Sequence, residues 1–293
     1  MQNKFHTFLL VIAVFLLGFM SLRPSGTGEG EPAKKSETAF ERVMRTRTIR
    51  CAYGQWPPLF MINPTTKEFS GTDYEIMEEI GRLTGLKIVW ASEFPGVGSV
   101  PEQLQSGKQD VCCTALWANP KRAQRVEMSS PVAYMPLYAY VRDGDTRFDN
   151  RIEALNDENV RIAVADGGAQ VPLAQTNFPK AKQYNIPEDQ PAVDTFLAVI
   201  TKKADVVFSD PMAVHDYNEH NPSQKLRRVS SEKPLKVFAN VFVTAKGEWQ
   251  LRDLLSSAVQ ELQSDGMIDR ILKKYESEPG TFLRVAAPYQ SGG

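Results

Sequence analysis

Hydrophobic positions along the chain alternate between short apolar runs and longer segments in which apolar residues recur three or four positions apart. Short apolar, β-branched runs predict strands, and the wider spacing predicts amphipathic helices. The predicted strands are 48–53, 87–91, 111–116, 137–141, 160–165, 205–208 and 237–244. The main predicted helices are 41–47, 73–85, 101–106, 189–203, 249–262 and 268–275. Strands that alternate with helices indicate an α/β fold around a parallel sheet.

Two of the predicted helices have a clear apolar face that should pack on the sheet. The first is predicted to be capped by Asp73 and to end at Gly85. Its apolar side chains are Ile76, Met77, Ile80 and Leu83. In the helix 249–262, the apolar stripe holds Leu251, Leu254, Leu255, Ala258, Val259 and Leu262.

The segment 110–132 joins a strand end to a helix start. An apolar strand ends at Trp117, and a short polar helix follows it. The helix and the residues just beyond it carry Lys121, Arg122 and Arg125. In open α/β sheets ligands bind where the carboxyl end of a strand meets the amino end of a helix, because free N–H groups converge there. This segment is therefore the first candidate for a binding site.

Composition limits the classes of partner. The chain has 293 residues, 42% of them hydrophobic and 24% charged, which is enough to bury one or two ordinary cores. Its 34 basic and 35 acidic residues give a formal net charge of -1. That balance offers no electrostatic reason to expect a nucleic-acid partner, and it suits a small neutral or zwitterionic ligand.

The N-terminus carries an export signal. Lys4 precedes an apolar run from Phe8 to Met20, whose length lies between that of a signal-peptide core and that of a spanning helix. Residues 1–22 are therefore predicted to be either a cleaved signal peptide or an uncleaved membrane anchor. Residues 23–40 are predicted to be a flexible linker, because Pro, Gly, Ser and charged residues dominate much of it. Both alternatives indicate a periplasmic or other extracytoplasmic location.

Several stretches, in their order, carry a family resemblance. They are TIRCAYGQWPPLF, GTDYEIMEEIGRLTGLKI, PEQLQSGKQDV, NPKRAQRVEMSSPV and LSSAVQELQSDGMIDRILKKYE. The chain from about residue 46 to 276 resembles the family-3 extracellular solute-binding proteins of bacterial ABC transporters, which bind amino acids and other small polar solutes.

The resemblance implies a periplasmic-binding-protein-like fold of type II, with two α/β lobes joined by a two-segment hinge. Residues 41–140 and 237–276 would form lobe 1, and residues 141–236 would form lobe 2. Residues 277–293 would be a loosely ordered C-terminal tail. The ligand would be enclosed when the lobes close, and the C-terminal helices would pack back on lobe 1.

The resemblance also implies a binding site. Arg122 stands where the family arginine clamps a ligand carboxylate, and Asp210 stands where an acid receives the ligand ammonium. Trp56 stands where an aromatic residue packs on the ligand. Further implied ligand-binding residues are Thr114, Ala115, Trp117, Gly168 and Ala169. The pattern departs from that of a standard amino-acid receptor, because Ala115 and Trp117 replace common serines and Ala169 replaces a frequent threonine.

Each candidate residue has a purely structural alternative. Arg122 could be a solvated helix residue, since arginines are mostly exposed. Asp210 precedes Pro211 and could be a helix cap, with or without a ligand role. Trp56 and Trp117 could be core residues.

The three cysteines also leave two alternatives. In the resembling fold the strands of Cys51 and Cys113 are neighbours, so these two could form a disulfide in an oxidising compartment and leave Cys112 free. Alternatively, all three are small buried residues, because a bridge between adjacent parallel strands demands unusual geometry.

Signatures of catalysis and of metal binding are missing from the sequence. It holds no G-x-S-x-G, Walker or dinucleotide motif, and its histidines, His6, His215 and His220, lack metal-ligand spacing. We therefore expect no cofactor, no metal and no catalytic residue.

The resulting hypothesis is a monomeric extracytoplasmic solute-binding protein. It would capture a small carboxylate-bearing solute, such as an amino acid, for the membrane subunits of an ABC transporter. It would touch the membrane through its N-terminal segment if that segment is uncleaved. Two alternatives share the scaffold: an enzyme that resembles the periplasmic cyclohexadienyl dehydratases, and the input domain of a sensor.

Overall fold

The computed structural model describes residues 37–187, 190–191, 193–229, 233–277 and 280–285. The chain divides into two units after Glu37, and the structure described below is that of the second. The predicted signal or anchor, residues 1–22, and most of the predicted linker lie outside the described residues. Ala39 and Phe40, which the linker prediction included, instead lie in a helix. Among the described residues, no helix is both long and apolar enough to span a membrane.

The bounds of the strands and helices are as follows. The strands are β1 Thr48–Tyr53, β2 Met61–Ile62, β3 Phe69–Ser70, β4 Lys87–Glu93, β5 Val111–Trp117, β6 Val126–Met128, β7 Ala133–Arg142, β8 Arg161–Ala165, β9 Lys182–Ile186, β10 Val206–Ser209, β11 Leu226–Arg228 and β12 Lys236–Ala245. The helices are α1 Ala39–Thr46, α2 Thr72–Thr84, α3 Val100–Gln105, α4 Pro120–Ala123, α5 Gln170–Asn177, α6 Asp194–Ile200, α7 Pro211–His220, α8 Trp249–Ser264 and α9 Met267–Tyr275. The predicted α/β alternation is confirmed.

The strands form two sheet halves joined in the middle. The order of neighbours is β4-β1-β5-β12-β7-β10-β8-β9, with β6 beside β12, β11 beside β7, and β2 and β3 as a separate hairpin. Pairs β1/β4, β1/β5, β8/β10 and β8/β9 are parallel. Strands β7 and β12 run antiparallel to each other and to β10 and β5 respectively. We call β1–β6 with their helices and α8 and α9 lobe 1, and β8–β11 with α5–α7 lobe 2.

Strands β7 and β12, the hinge strands, each belong to both lobes. The first half of β7 pairs with the first half of β12, whereas its second half pairs with β10 and β11 of lobe 2. The second half of β12 pairs with β5 and β6 of lobe 1. The sequence predicted only 137–141 of β7, because Pro136 interrupts the run before it. The lobes are thus joined by two segments, and the exact lobe boundaries predicted above stay predictions.

Lobe 1 packs helices α1, α2, α8 and α9 on one face of its sheet and α3 on the other. The predicted stripes of α2 and α8 lie in one buried cluster with Cys51, Cys113 and Phe242. The prediction that Leu83 belongs to the buried face of α2 was wrong, because its side chain is 43% exposed. The C-terminal helices α8 and α9 contribute Leu255, Ile268 and others to the same cluster, as predicted.

A disulfide lies in the middle of this core. Cys51 of β1 and Cys113 of β5 are bonded, with their Cα atoms 5.4 Å apart, and Cys112 is free and buried. Successive residues of a strand face opposite sides, so Cys113 points to the helices and Cys112 to the other cluster of lobe 1. Of the two alternatives left open by the sequence, the structure shows the disulfide. Burial raises the pKa of the Cys112 thiol to about 12.

Each lobe fastens the amino end of a strand with an aspartate. The Asp110 carboxylate accepts a hydrogen bond from the Arg50 backbone N–H at 2.7 Å, and the Asp110 backbone N–H donates to the Arg50 carbonyl at 2.8 Å. In lobe 2 the corresponding distances between Asp205 and Arg161 are 2.9 and 2.8 Å. Guanidinium groups complete both arrangements: Arg42 and Arg50 at Asp110, and Arg142, Arg147 and Arg161 at Asp205.

The start of α2 corrects the prediction for Asp73. The residue at the cap position is Gly71, whose φ of 122° and close approach to the Leu59 carbonyl leave no room for a Cβ. Asp73 lies inside the first turn, is 2% exposed, and accepts the Ala115 N–H of β5 at 2.7 Å. Burial raises the pKa of the Asp73 carboxyl to about 7. The carboxyl therefore ties α2 to the strand that carries the candidate site.

Short polar strands and part of the tail were missed by the sequence prediction. Strands β6, β9 and β11 have no sustained apolar run. The tail was predicted to be loosely ordered, but Phe282 is 2% exposed in the core of lobe 1, and Leu283 bridges Tyr134 through two backbone hydrogen bonds of 2.8 Å. Residues 286–293 lie outside the described residues.

The disulfide predicts one free thiol and a large contribution to stability. A cross-link over 62 residues restricts the unfolded chain, so the double variant Cys51→Ala/Cys113→Ala should lose about 2–4 kcal/mol of unfolding free energy in urea denaturation. Thiol titration of the unfolded, unreduced protein should find one thiol. A reductant should destabilise the parent and a Cys112→Ala control alike but leave the double variant unchanged. Three free thiols in the parent would contradict the bridge.

From the raised pKa of the Asp73 carboxyl we predict that its contribution to the unfolding free energy declines as pH rises. Because its folded pKa of about 7 exceeds the ordinary value of 3.8, the folded state binds this proton more tightly than the unfolded state. Its contribution to the unfolding free energy should fall between pH 4 and 7, by at most about 1.4 kcal/mol per pH unit, and stay level above that. Asp73→Asn should flatten the profile measured by urea denaturation in this window.

Asp205→Asn is the matched control for this pH profile. Burial opposes the ionisation of Asp205, but hydrogen bonds from Arg147 and from the Arg161 amide hold its pKa below the ordinary value. Its stabilising contribution is therefore lost only as pH falls below about 4. A slope between pH 4 and 7 that is the same in the parent and in Asp73→Asn would show that Asp73 does not titrate there.

Candidate functional site

Arg122 lies where β5 ends and α4 begins. Asn119 caps this short helix by accepting the Arg122 N–H at 2.8 Å, and Pro120 fills the first helical position. The cap turns the chain back toward the strand, and Arg122 Nη1 donates to the carbonyl of Trp117. The side chain is half-buried, and burial lowers the pKa of its guanidinium.

The charge of Arg122 lacks an ion-pair partner in the described part of the chain. No carboxylate of the described residues forms a salt bridge with it, although the other half-buried arginines among those residues have one, such as Arg50 with Asp110. Arg125, three residues later, is exposed and pairs with Glu102. The alternative of a solvated helix residue thus describes Arg125 and not Arg122.

Asp210 is a buried carboxyl at the amino end of α7. It caps the helix by accepting the Ala213 N–H at 2.9 Å, so the cap alternative is confirmed. The residue is 2% exposed, and burial raises the pKa of its carboxyl. Within the described ranges it forms no salt bridge. Met212, two residues on, belongs to the buried cluster of lobe 1, so the start of α7 packs against the opposite lobe.

Trp117 links the two hydrophobic cores. Its ring stacks on Phe238 of β12, with centroids 4.5 Å apart and planes 2° from parallel. It packs against the helix-covered cluster of lobe 1 and also against the cluster of lobe 2 that contains Phe238. The core-packing alternative is therefore part of what Trp117 does.

Trp56 is the most accessible of the candidate residues. It is 38% exposed and follows β1, and its N–H donates to the Phe60 carbonyl at 2.9 Å across a tight turn. The two prolines after it are joined by a cis peptide bond. An exposed aromatic ring on a fixed turn is available to contact a ligand.

Thr114 and Ala115 use their donors inside lobe 1. The Thr114 hydroxyl donates to the Gly54 carbonyl at 3.2 Å and accepts the Gly54 N–H at 3.1 Å. The Ala115 N–H is bonded to Asp73. Both residues are buried, and the single hydrogens of the Thr114 hydroxyl and of the Ala115 amide are already used in these bonds. Their observed role is to fix the backbone of β5 against β1 and α2.

Gly168 and Ala169 form the turn that precedes α5 in lobe 2. The Gly168 N–H donates to the Ala165 carbonyl at 2.9 Å, and a Cβ at this position would approach that carbonyl to 2.8 Å. Ala169 occupies the cap position of α5 without a capping side chain. The turn places backbone groups at the carboxyl end of β8.

The sequence reasoning missed Phe238 and Asn240, which share the hinge strand β12. The available signal was an asparagine inside the apolar run VFANVFV, since a buried polar residue in a strand needs a reason. Within the described ranges, no group of three or more His, Cys, Asp or Glu side chains is placed to hold a metal ion.

Two curated relatives match most of the chain. A protein named probable histidine-binding protein, from Campylobacter jejuni, is 27% identical over 216 residues, which cover 72% of this chain and 78% of the relative. Amino-acid-binding protein AabA from Dichelobacter nodosus is 22% identical over 211 residues, covering 70% and 79% respectively. Both relatives carry names of binding proteins.

Solved structures share the fold at low sequence identity. An ancestral amino-acid-binding protein, AncCDT-1, described as a precursor of cyclohexadienyl dehydratase, superposes with a TM-score of 0.65 at 19% identity, covering 81% of this chain and 99% of the other. The periplasmic VFT2 domain of BvgS from Bordetella pertussis gives 0.68 at 21% identity, covering 81% and 97%. These likenesses show the type II periplasmic-binding-protein fold of two α/β lobes.

One family model accounts for nearly all of the described chain. It is that of the bacterial extracellular solute-binding proteins, family 3, and it matches residues 49–278. The match begins in β1 and ends just after α9, so it spans both lobes and both hinge strands. This chain belongs to the bacterial extracellular solute-binding proteins of family 3.

Proposed function

We propose that the protein binds a small solute that bears a carboxylate and an amino group, such as an amino acid, between its two lobes. Arg122 would receive the carboxylate and Asp210 the ammonium. The protein would act outside the cytoplasm and present its ligand to the membrane subunits of an ABC transporter. Family membership supports the solute, the transporter and the location, and the apolar run 8–20 supports export.

The observation that carries this proposal is a pair of desolvated, opposite charges. Arg122 in lobe 1 and Asp210 in lobe 2 are each shifted in pKa toward the neutral form by burial, and neither forms a salt bridge among the described residues. A buried charge without an ionic partner is costly. A zwitterion would compensate both charges at once, and a carboxylate matches the planar fork of the guanidinium.

The amino-acid class draws support from the relatives. Both curated relatives are named for binding histidine or amino acids. Trp56 would contact the rest of the ligand from lobe 1, and the turn of Gly168 and Ala169 would offer backbone groups from lobe 2. The Trp117–Phe238 stack, in which the rings are 4.5 Å apart, would form an apolar wall between them.

A second candidate function follows from the raised pKa of Asp210. A buried carboxyl that holds its proton can act as a general acid, and a structural relative is described as a precursor of a dehydratase. The two functions differ in the fate of the ligand. We expect mass spectrometry to recover L-histidine, L-glutamine and L-arginine unchanged after long incubation with the protein, and any time-dependent product absent from an Asp210→Asn control would favour the enzyme.

The test of the binding function compares two arginines of the same segment. Arg122→Ala should weaken the binding of the amino acid that stabilises the parent in a thermal-shift screen, by about 2–5 kcal/mol in calorimetry, because a desolvated carboxylate would lose its partner. Arg122→Lys should recover little of this, since an ammonium cannot pair with both carboxylate oxygens in the same geometry.

Arg125→Ala is the matched control, because Arg125 is exposed and bound to Glu102. It should change the affinity by less than about twofold, as expected of a surface ion pair. If Arg122→Ala and Asp210→Ala both bind the ligand as tightly as the parent, the proposed site is wrong.

A further inference from the structure

A buried asparagine in the hinge has an acceptor without a partner. Asn240 of β12 is 2% exposed, and its Oδ1 is one of the buried side-chain oxygens that have no hydrogen-bond partner among the described residues. Its Nδ2 lies 2.8 Å from the Sδ of Met135, a weak acceptor. Buried polar atoms are nearly always paired in native proteins, so an orphaned one points to a group that is supplied from elsewhere.

Strand register places Asn240 opposite Trp117. Asn240 is the direct cross-strand partner of Trp117 in the β5/β12 pair, and opposite residues of such a pair project to the same face. Phe238, two residues before Asn240, shares that face and stacks on Trp117. Arg122 donates to the carbonyl of the same tryptophan. Asn240 thus lies opposite the residue whose backbone carbonyl accepts from Arg122, which connects it to the proposed carboxylate clamp.

The number of donors on an ammonium explains why an extra acceptor is useful. An ammonium carries three N–H donors and no acceptor. Asp210 Oδ1 already accepts the Ala213 N–H of its own helix, which leaves fewer lone pairs for a ligand. In an α-amino acid the ammonium is bonded to the carbon that bears the carboxylate, so it must lie close to the group that Arg122 would hold.

We propose that Asn240 Oδ1 accepts a hydrogen bond from the ammonium of the bound amino acid, beside Asp210. This inference rests on the proposed function and adds a specificity-determining residue from the second hinge strand. Asn240 would make the protein prefer an α-amino acid to the same molecule without its amino group, because only the former satisfies the buried oxygen. It would also link the ligand to a strand shared by both lobes.

The experiment compares the binding affinities of an amino acid and of its deamino acid for matched variants. The probes are L-histidine, L-glutamine and L-arginine, each paired with its deamino acid, and affinities are taken from calorimetry or from displacement. Asn240→Leu, which removes the acceptor at similar size, should weaken binding of the amino acid about 10- to 100-fold, as expected for a hydrogen bond to a charged group. Binding of the deamino acid should change by less than about threefold. Asn240→Thr, which keeps a neutral acceptor oxygen, should bind the amino acid more tightly than Asn240→Leu.

The control is another orphaned buried oxygen far from the site. Gln109 Oε1 likewise has no partner among the described residues, and Gln109 precedes β5, eight positions before Trp117 and about 26 Å along an extended chain. Gln109→Met should leave the affinities for both members of a pair unchanged. Circular dichroism melting establishes that each variant is folded.

The outcomes separate this inference from the proposed function. Equal weakening of both ligands by Asn240→Leu, or a folded Asn240→Thr that binds the amino acid as poorly as Asn240→Leu, would mean that Asn240 only supports the hinge. Unchanged binding in Asn240→Leu would also overturn the inference while leaving the amino-acid function in place. A parent protein that binds none of the probe amino acids would overturn both.

Discussion

The antiparallel pairing of β7 with β12 is the constraint on which the rest of the structure depends. Five cross-strand pairs, from Lys236↔Leu137 to Asn240↔Ala133, fix the register, and a shift by one residue would turn every side chain to the other face. With this register, Phe238 faces the core of lobe 2 and also meets Trp117 from lobe 1. Because each strand continues into a different lobe, the same backbone ladder joins the two cores and defines the floor on which a ligand would lie.

Asp110 and Asp205 use the charges at the amino ends of their strands for structure, which leaves the opposite ends for the proposed site. Asp110 and Asp205 each neutralise arginines and fix the neighbouring strand at its amino end, Arg50 in one lobe and Arg161 in the other. Those charges are used for structure. At the carboxyl end of β5, by contrast, Asp73 holds the Ala115 amide, and the Arg122 guanidinium donates to the Trp117 carbonyl and forms no salt bridge with the described residues. In lobe 1 the charges at the amino end of β5 thus serve the fold, and the ligand site that we propose lies at its carboxyl end.

The sequence predicted those elements whose structure is determined by residues close to them along the chain. Strand β1 and the stripe of α8 followed from apolar spacing because that pattern is set by neighbours along the chain. Asp73 looked like a helix cap because its partner, the Ala115 amide, lies 42 positions away. The same distance effect hid β11, which is a strand only because β7 offers an edge to it, and Phe282, whose burial needs the finished core of lobe 1. The family resemblance supplied Arg122 and Asp210. That neither forms a salt bridge with the described residues, and that the Asn240 oxygen lacks a hydrogen-bond partner among them, could be seen only in the structure.

Charge balance in the proposed site would explain why the extra acceptor is an amide and not a carboxylate. Arg122 and Asp210 have opposite signs, so the two together with a zwitterion make a neutral set, and each buried charge then has a counter-charge. A further carboxylate on β12 would leave one buried negative charge uncompensated when the ligand is bound, and a further cation would repel the ammonium. The neutral Oδ1 of Asn240 can accept from the ammonium without changing that balance. The same reasoning argues against a dicarboxylate or a simple cation as the main ligand, because either would leave Arg122 and Asp210 with unequal charge to compensate.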